Sequence, residues 1–223
     1  MKRFYATKSM YLLFLLVLIS IFSCSDVSSF ELKEGDLLFQ KWEASDFAKA
    51  INAVTEGYDG HDFAHVGMVI EDAGELKVFE ATMAGGVGLT PLDTFLNASL
   101  TTGLKPNIAV GRIKAQFQDA IPSINDWVIS QMDKPYDTLF IYGNEKYYCS
   151  ELIHDAFNNH ASEQIFSLEP MTFKDPETNE YFPIWLDYFE RFNSHIPEGQ
   201  PGINPGLMSR SEKLEVVYEY FSQ

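Results

Sequence analysis

The chain has 223 residues, 16 of them basic and 32 acidic, for a formal net charge of −16. That balance argues against nucleic acid as a partner, because no basic patch is present to neutralise phosphates. The length fits one domain well and two only awkwardly.

The first element is a leader. Lys2, Arg3 and Lys8 precede a run of twelve mostly apolar residues, 11-YLLFLLVLISIF-22, which leads into Ser23 and Cys24. This is the layout of a secretory signal, and the run is shorter than the roughly 20 residues a membrane span needs. Phe22-Ser23-Cys24 resembles a bacterial lipoprotein cleavage box. On that resemblance Cys24 becomes the lipidated N-terminus, residues 1–23 are removed, and residues 24–34 form a tether. The expected location is the cell envelope, with the protein held to a membrane. Removal of three basic and no acidic residues takes the formal charge of the remainder to −19. An acidic surface keeps such a protein soluble and off anionic lipid, and it also suits substrates that carry ammonium groups. With Cys24 lipidated, Cys149 is the one cysteine left. It is either a reactive thiol or an inert packing residue.

Past the tether, 35-GDLLFQ-40 reads as a strand behind a Gly-Asp turn, and 43-EASDFAKAINAVTEG-57 as a helix capped by Ser45 and stopped at Gly57. The segments 65-HVGMVIE-71 and 76-LKVFEAT-82, joined by 72-DAGE-75, predict a β-hairpin. Glycines in 85-GGVGLTPLDTFL-96 lead the chain out into a short helix. Another strand is expected over 107–113, a helix over 119–132 starting near Pro122, and a last helix over 210–221. Partial segregation of strands and helices indicates an α+β fold around an antiparallel sheet.

Cys149 opens a helical pattern. Leu152, Ile153, Ala156 and Phe157 share one face, and the thiol points along it from the first turn. Unpaired N–H groups there favour a thiolate and can hold a developing oxyanion. A nucleophile at this position also needs a base. Of the five histidines, His154 lies about 500° further around the helix, pointing away from the thiol, and His160 and His195 sit in polar, loop-like surroundings where solvation is expected. His65 opens a strand, with Val66, Met68 and Ile70 on one side and His65, Gly67, Val69 and Glu71 on the other. Gly67 leaves the surface beside it open, for a substrate channel or for a closely packed helix.

If Glu71 faces Leu76 across the turn, paired residue numbers sum to 147. Glu80 then lies diagonal to His65 on one face, within reach of a long side chain, where a carboxylate can hold one imidazole nitrogen and leave the other for the thiol. Thr82 is the alternative orienting residue. Glu71 shares the face but lies roughly 20 Å along the strand. His61 and His65 have the spacing of a helical zinc motif, but Gly57, Asp59 and Gly60 before them and the strand at His65 do not support a helix. No metal and no cofactor is expected.

Taken in order, 35-GDLLF-39, 65-HVGMVIE-71, Glu80, 135-PYD-137 and 148-YCSEL-152 resemble the permuted papain-like amidases of the YiiX/YaeF type, relatives of the NlpC-type cell-wall peptidases. The similarity covers most of 35–223, including 204-NPGLMSRSEKLEVV-217, and fits 160–185 least. It implies one hydrolase domain over 35–223, with Cys149 as nucleophile, His65 as base and Glu80 orienting the base. It also implies Tyr136 as a hydroxyl near the oxyanion, where a packed loop aromatic is the other reading. The expected reaction is cleavage of an amide in peptide or cell-envelope material. Two alternatives are acyl transfer or hydrolysis on lipids, because permuted papain-like folds include lecithin:retinol acyltransferase relatives, and an envelope binding protein with a dead site.

Overall fold

The computed structural model describes residues 30–42, 46–100 and 105–222. Leu32–Gln223 forms a compact unit. The leader, Cys24 and the proposed cap at Ser45 lie outside the described residues.

Six antiparallel strands make one sheet. They are β1 (Leu37–Gln40), β2 (His65–Asp72), β3 (Glu75–Thr82), β4 (Gly86–Pro91), β5 (Ile108–Ile113) and β8 (Leu214–Glu219), in the order β4-β3-β2-β1-β5-β8. A second, two-stranded ribbon pairs β6 (Glu169–Pro170) with β7 (Pro201–Gly202). The helices are α1 (Asp46–Asn52), α2 (Leu92–Ala98), α3 (Ile121–Gln131), α4 (Cys149–Asn158), α5 (Pro183–Arg191) and α6 (Pro205–Ser209). The fold is α+β, as the segregation of strands and helices predicts.

The β2–β3 hairpin has the predicted register, with Glu71 opposite Leu76 and Met68 opposite Phe79. Alternation then sorts the side chains. Val66, Met68 and Ile70 enter the main core with Leu152, Ile153, Ala156 and Phe157 of α4, so the helix that begins at Cys149 lies against that face of the sheet. On the opposite face a side chain at Gly67 would run into Val78 and crowd Phe95 of α2. Gly67 therefore serves the close packing of Val78 and of helix α2 on this face and not a channel.

At the start of β1, Gly35 has a φ of +82° and its N–H donates to Val69 O at 2.8 Å. Asp36 is fully buried and accepts from Arg112 Nε at 2.7 Å and from Arg112 Nη2 at 2.8 Å. The Gly-Asp motif is thus a structural joint between β1, β2 and β5.

Four expectations need correction. The segment 85–91 is the edge strand β4 and not an exit loop, because pairing along β3, with Gly88 opposite Glu80, outweighs the low strand preference of glycine. Residues 214–219 form strand β8 and not a helix. Leu214, Val216 and Tyr218 pair with β5, and the β-branched and aromatic content of the segment suits that edge. Helix α1 ends at Asn52, so Gly57 does not stop it. His160 is only partly exposed: its Nε2 is buried without a partner, and its ring lies 5.8 Å from that of Trp127. Helices α5 and α6 and the β6–β7 ribbon had no counterpart in the sequence reading.

Candidate active site

Cys149 is the first residue of α4, after Tyr148 in an extended conformation. Its thiol is free, and the residue is 6% exposed. The first N–H groups of a helix have no intrahelical acceptor, so the sulfur sits beside a partial positive charge.

His65 is the first residue of β2 and stands across from Gln40 of β1. Its Nε2 lies 2.6 Å from Glu80 Oε2, with both side chains buried. Burial alone would lower the imidazole pKa. The negative charge of Cys149, hydrogen bonding with Cys149 and hydrogen bonding with Glu80 outweigh it, and raise the pKa from 6.5 to about 10. With Nε2 held by the carboxylate, Nδ1 is the nitrogen left for the thiol. The arrangement favours the charged imidazolium beside the sulfur.

Tyr136, which borders the same cavity as Cys149, is held by backbone contacts on two sides. It forms a parallel bridge with Tyr147, two residues before the cysteine. Just before it, Lys134 O accepts from Val87 N–H at 2.9 Å, which ties the loop to β4. Gly86 makes this approach possible, with a φ of +69° and the Lys134 carbonyl where a side chain would stand. After it, Asp137 accepts the N–H groups of Leu139 at 2.9 Å and Ile141 at 2.6 Å. Burial first, and the charge of Cys149 second, push the Tyr136 pKa well above its ordinary value. The phenol therefore stays protonated and able to donate.

A cavity of about 600 Å³ borders Cys149, His65, Glu80 and Tyr136 together. The remaining candidates lie elsewhere or are otherwise engaged. Thr82 Oγ1 accepts from Gly85 N–H at 3.0 Å. His154 bonds Asp155 through Nδ1 and Asn158 through Nε2. His195 is exposed. His61 stands in non-helical chain, its Nδ1 3.0 Å from Lys41 Nζ.

Two neighbours of the His65–Glu80 pair escaped the sequence reading. Thr90 of β4 donates its hydroxyl hydrogen to Glu80 Oε1. The Trp42 ring stacks on the imidazole at 5.3 Å between centroids, with 13° between planes. Thr90 was hidden because its strand was not recognised. Trp42 lay beyond the end of a predicted strand, with nothing local to aim it at His65.

A six-stranded antiparallel sheet whose histidine-bearing strand precedes the cysteine-bearing helix in sequence defines the permuted papain-like class. The chain belongs to the permuted papain-like amidase family YaeF/YiiX, C92, whose family model matches residues 31–218. Among curated proteins it is 24% identical over 203 residues to YiiX of Escherichia coli strain K12, which carries the description "uncharacterized"; the match covers 91% of this chain and 94% of the relative. A crystal structure of yiiX from Escherichia coli O157:H7, described as a metalloprotein, superposes with a TM-score of 0.68 at 23% identity, covering 85% of this chain and 98% of the other. Among the described residues here, no group of three or more His, Cys, Asp or Glu side chains is placed to hold a metal ion.

Proposed function

We propose that this protein is a lipid-anchored cysteine hydrolase that cleaves an amide bond in peptide or cell-envelope material. The observation that carries the reading is the position of His65, which is bonded to Glu80 at 2.6 Å and interacts with the thiol of Cys149 at the start of a helix. In the proposed reaction the Cys149 thiolate attacks the carbonyl carbon. The oxyanion is met by the Tyr136 hydroxyl and the N–H groups at the start of α4. His65, carrying the thiol proton, delivers it to the leaving amine as the C–N bond breaks. Water, deprotonated by His65, then attacks the thioester, and the departing thiolate recovers its ion pair with the imidazolium. Glu80 keeps Nε2 engaged throughout, so that Nδ1 faces the sulfur.

Iodoacetamide alkylation across pH tests the pair without a substrate. Cys149 should react well below the ordinary thiol pKa of about 8.5, and His65→Ala should abolish that reactivity. Wild-type alkylation at mildly acidic pH in His65→Ala would reject the mechanism and favour a binding protein. Once a substrate is known, Cys149→Ala, His65→Ala and the double variant should each lose a similar factor in turnover, as members of one unit do. Lipid anchoring is tested separately. Cys24→Ala and globomycin should each block processing, and unchanged membrane fractionation under both would remove the anchor from the proposal.

The apolar character of the cavity wall, which includes Phe47, Phe140, Phe173 and Trp185, favours a second reading in which the acyl group comes from a lipid. Exposure of the protein to a peptidoglycan digest and to a phospholipid mixture, followed by mass spectrometry of both, separates the two.

A further inference from the structure

The cavity that holds the thiol is shaped for one kind of substrate. Its volume of about 600 Å³ falls in the range of about 300–1,000 Å³ that buries most of a small ligand. Phe47, Ile51, Val54, Phe140, Phe173 and Trp185 all border it. A sugar or a polar peptide would lose hydration against such a wall without recovering hydrogen bonds, whereas an alkyl chain gains with each methylene buried.

Among the described residues, the one Lys or Arg side chain bordering the cavity is Arg210. It caps the C-terminus of α6 and is exposed. Arg112 is clamped by Asp36, but no carboxylate among the described residues pairs with Arg210. That is unusual in a chain with 32 acidic and 16 basic residues. The acids sharing the cavity do not engage it. Glu80 is held by His65 and Thr90, and Glu169 on β6 makes no ion pair with Arg210. A guanidinium in this setting presents its planar fork to a carboxylate or a phosphate.

We propose that the substrate is an anionic amphiphile, an acyl compound whose apolar arm lies in the cavity and whose carboxylate or phosphate is bound by Arg210. The inference takes the attack of Cys149 on an acyl carbonyl, through a thioester, from the proposed function and adds the recognition that selects the substrate. It also reconciles an apolar cavity with a strongly acidic protein. The overall charge repels anions at long range and is screened by salt within about 10 Å, while the local cation and the apolar wall hold the one anion that carries a long chain.

Calorimetric titration of the Cys149→Ala protein tests this without turnover, using probes below their micelle concentrations. N-lauroylglycine supplies chain and carboxylate, its methyl ester supplies the chain alone, and N-acetylglycine supplies the carboxylate alone. Monolauroyl lysophosphatidic acid supplies chain and phosphate. N-lauroylglycine should bind at least roughly 100-fold more tightly than N-acetylglycine and about 10-fold more tightly than its ester. Arg210→Gln should abolish the preference for acid over ester and leave the ester's affinity unchanged. Because Arg210 is exposed, this variant should fold normally. Tighter binding of the phosphate probe than of the carboxylate probe would assign a phosphate headgroup, and the reverse order a carboxylate. Equal affinity for acid and ester in the protein that retains Arg210, equal affinity for the long and short acids, or no binding of any probe would overturn the proposal. None of these failures touches the alkylation test of the Cys149–His65 pair, and failure of that test leaves the binding result standing.

Discussion

Thr90 donates its hydroxyl hydrogen to Glu80 Oε1, the carboxylate oxygen that His65 does not use. The carboxylate is therefore fixed at both ends, one by the imidazole and one by the neighbouring strand. A carboxylate so held can set the orientation of the ring and stabilise its charged form. Glu80→Gln keeps the shape and removes the charge. It should lower turnover roughly 10- to 1000-fold and slow alkylation of Cys149 at mildly acidic pH. Thr90→Val should show a smaller loss, about 3- to 10-fold, as expected for one hydrogen bond. Glu71→Gln, further along the same strand as His65, should leave both rates unchanged. A silent Glu80 with a sensitive Glu71 would end the assignment.

Trp42 stacks on the His65 ring from the exposed side, while Phe95 lies 5.9 Å from it. An indole face stabilises a cation above it, so Trp42 acts as a positioning residue for the imidazolium. Trp42→Ala should slow alkylation at mildly acidic pH about 2- to 5-fold with little change under alkaline conditions, and Trp42→Phe should restore most of the rate. A uniform change across pH would mean that the ring only shields the site.

Glu151 is 0% exposed, and its Oε2 has no partner. Burial pushes its carboxyl pKa from 4.5 up to about 8, against a hydrogen bond from Gly143 N–H that favours the charged form. The folded protein therefore binds this proton more tightly than the unfolded chain does. Stability should fall as pH rises between these two values, by up to about 1.4 kcal/mol per unit. His65, raised to about 10, adds its own decline above its unfolded value near 6.5. The diagnostic quantity is therefore the difference between wild type and Glu151→Gln in urea denaturation at about pH 5 and about pH 8. The variant should lose less stability between the two, and identical losses would count against a protonated Glu151.

Asp36 and Arg112 join β1 to β5 with two charge-assisted bonds, and the Asp36 side chain is fully buried while that of Arg112 is 23% exposed. Asp36→Ala removes both bonds. It should cost about 2–4 kcal/mol, the lower part reflecting the partial exposure of Arg112. Denaturation midpoints measure this directly. Alkylation of the folded fraction should be unchanged, since neither residue borders the cavity that holds Cys149.

Local pattern determined much of this protein. The alternation of His65 to Glu71, the short turn at 72–75 and the face formed by Leu152, Ile153, Ala156 and Phe157 specify a hairpin and a helix without reference to anything distant. Side-chain period and turn length follow from backbone geometry alone. The hairpin register was enough to set Glu80 diagonal to His65, because both residues belong to one two-stranded unit.

What tertiary structure decided are the features whose partners are far away in sequence. Residues 214–219 become a strand because β5, a hundred residues earlier, offers an unpaired edge, and residues 86–91 become one because β3 pairs along them despite their glycines. Thr90, Trp42 and Arg210 take their places at the site only after those strands and α6 have packed. Each is an ordinary residue in its local sequence. Local chain stiffness encodes periodicity over a few residues, whereas the meeting of Trp42 with His65, or of Arg210 with the cavity, depends on long loops closing under the drive to bury the core.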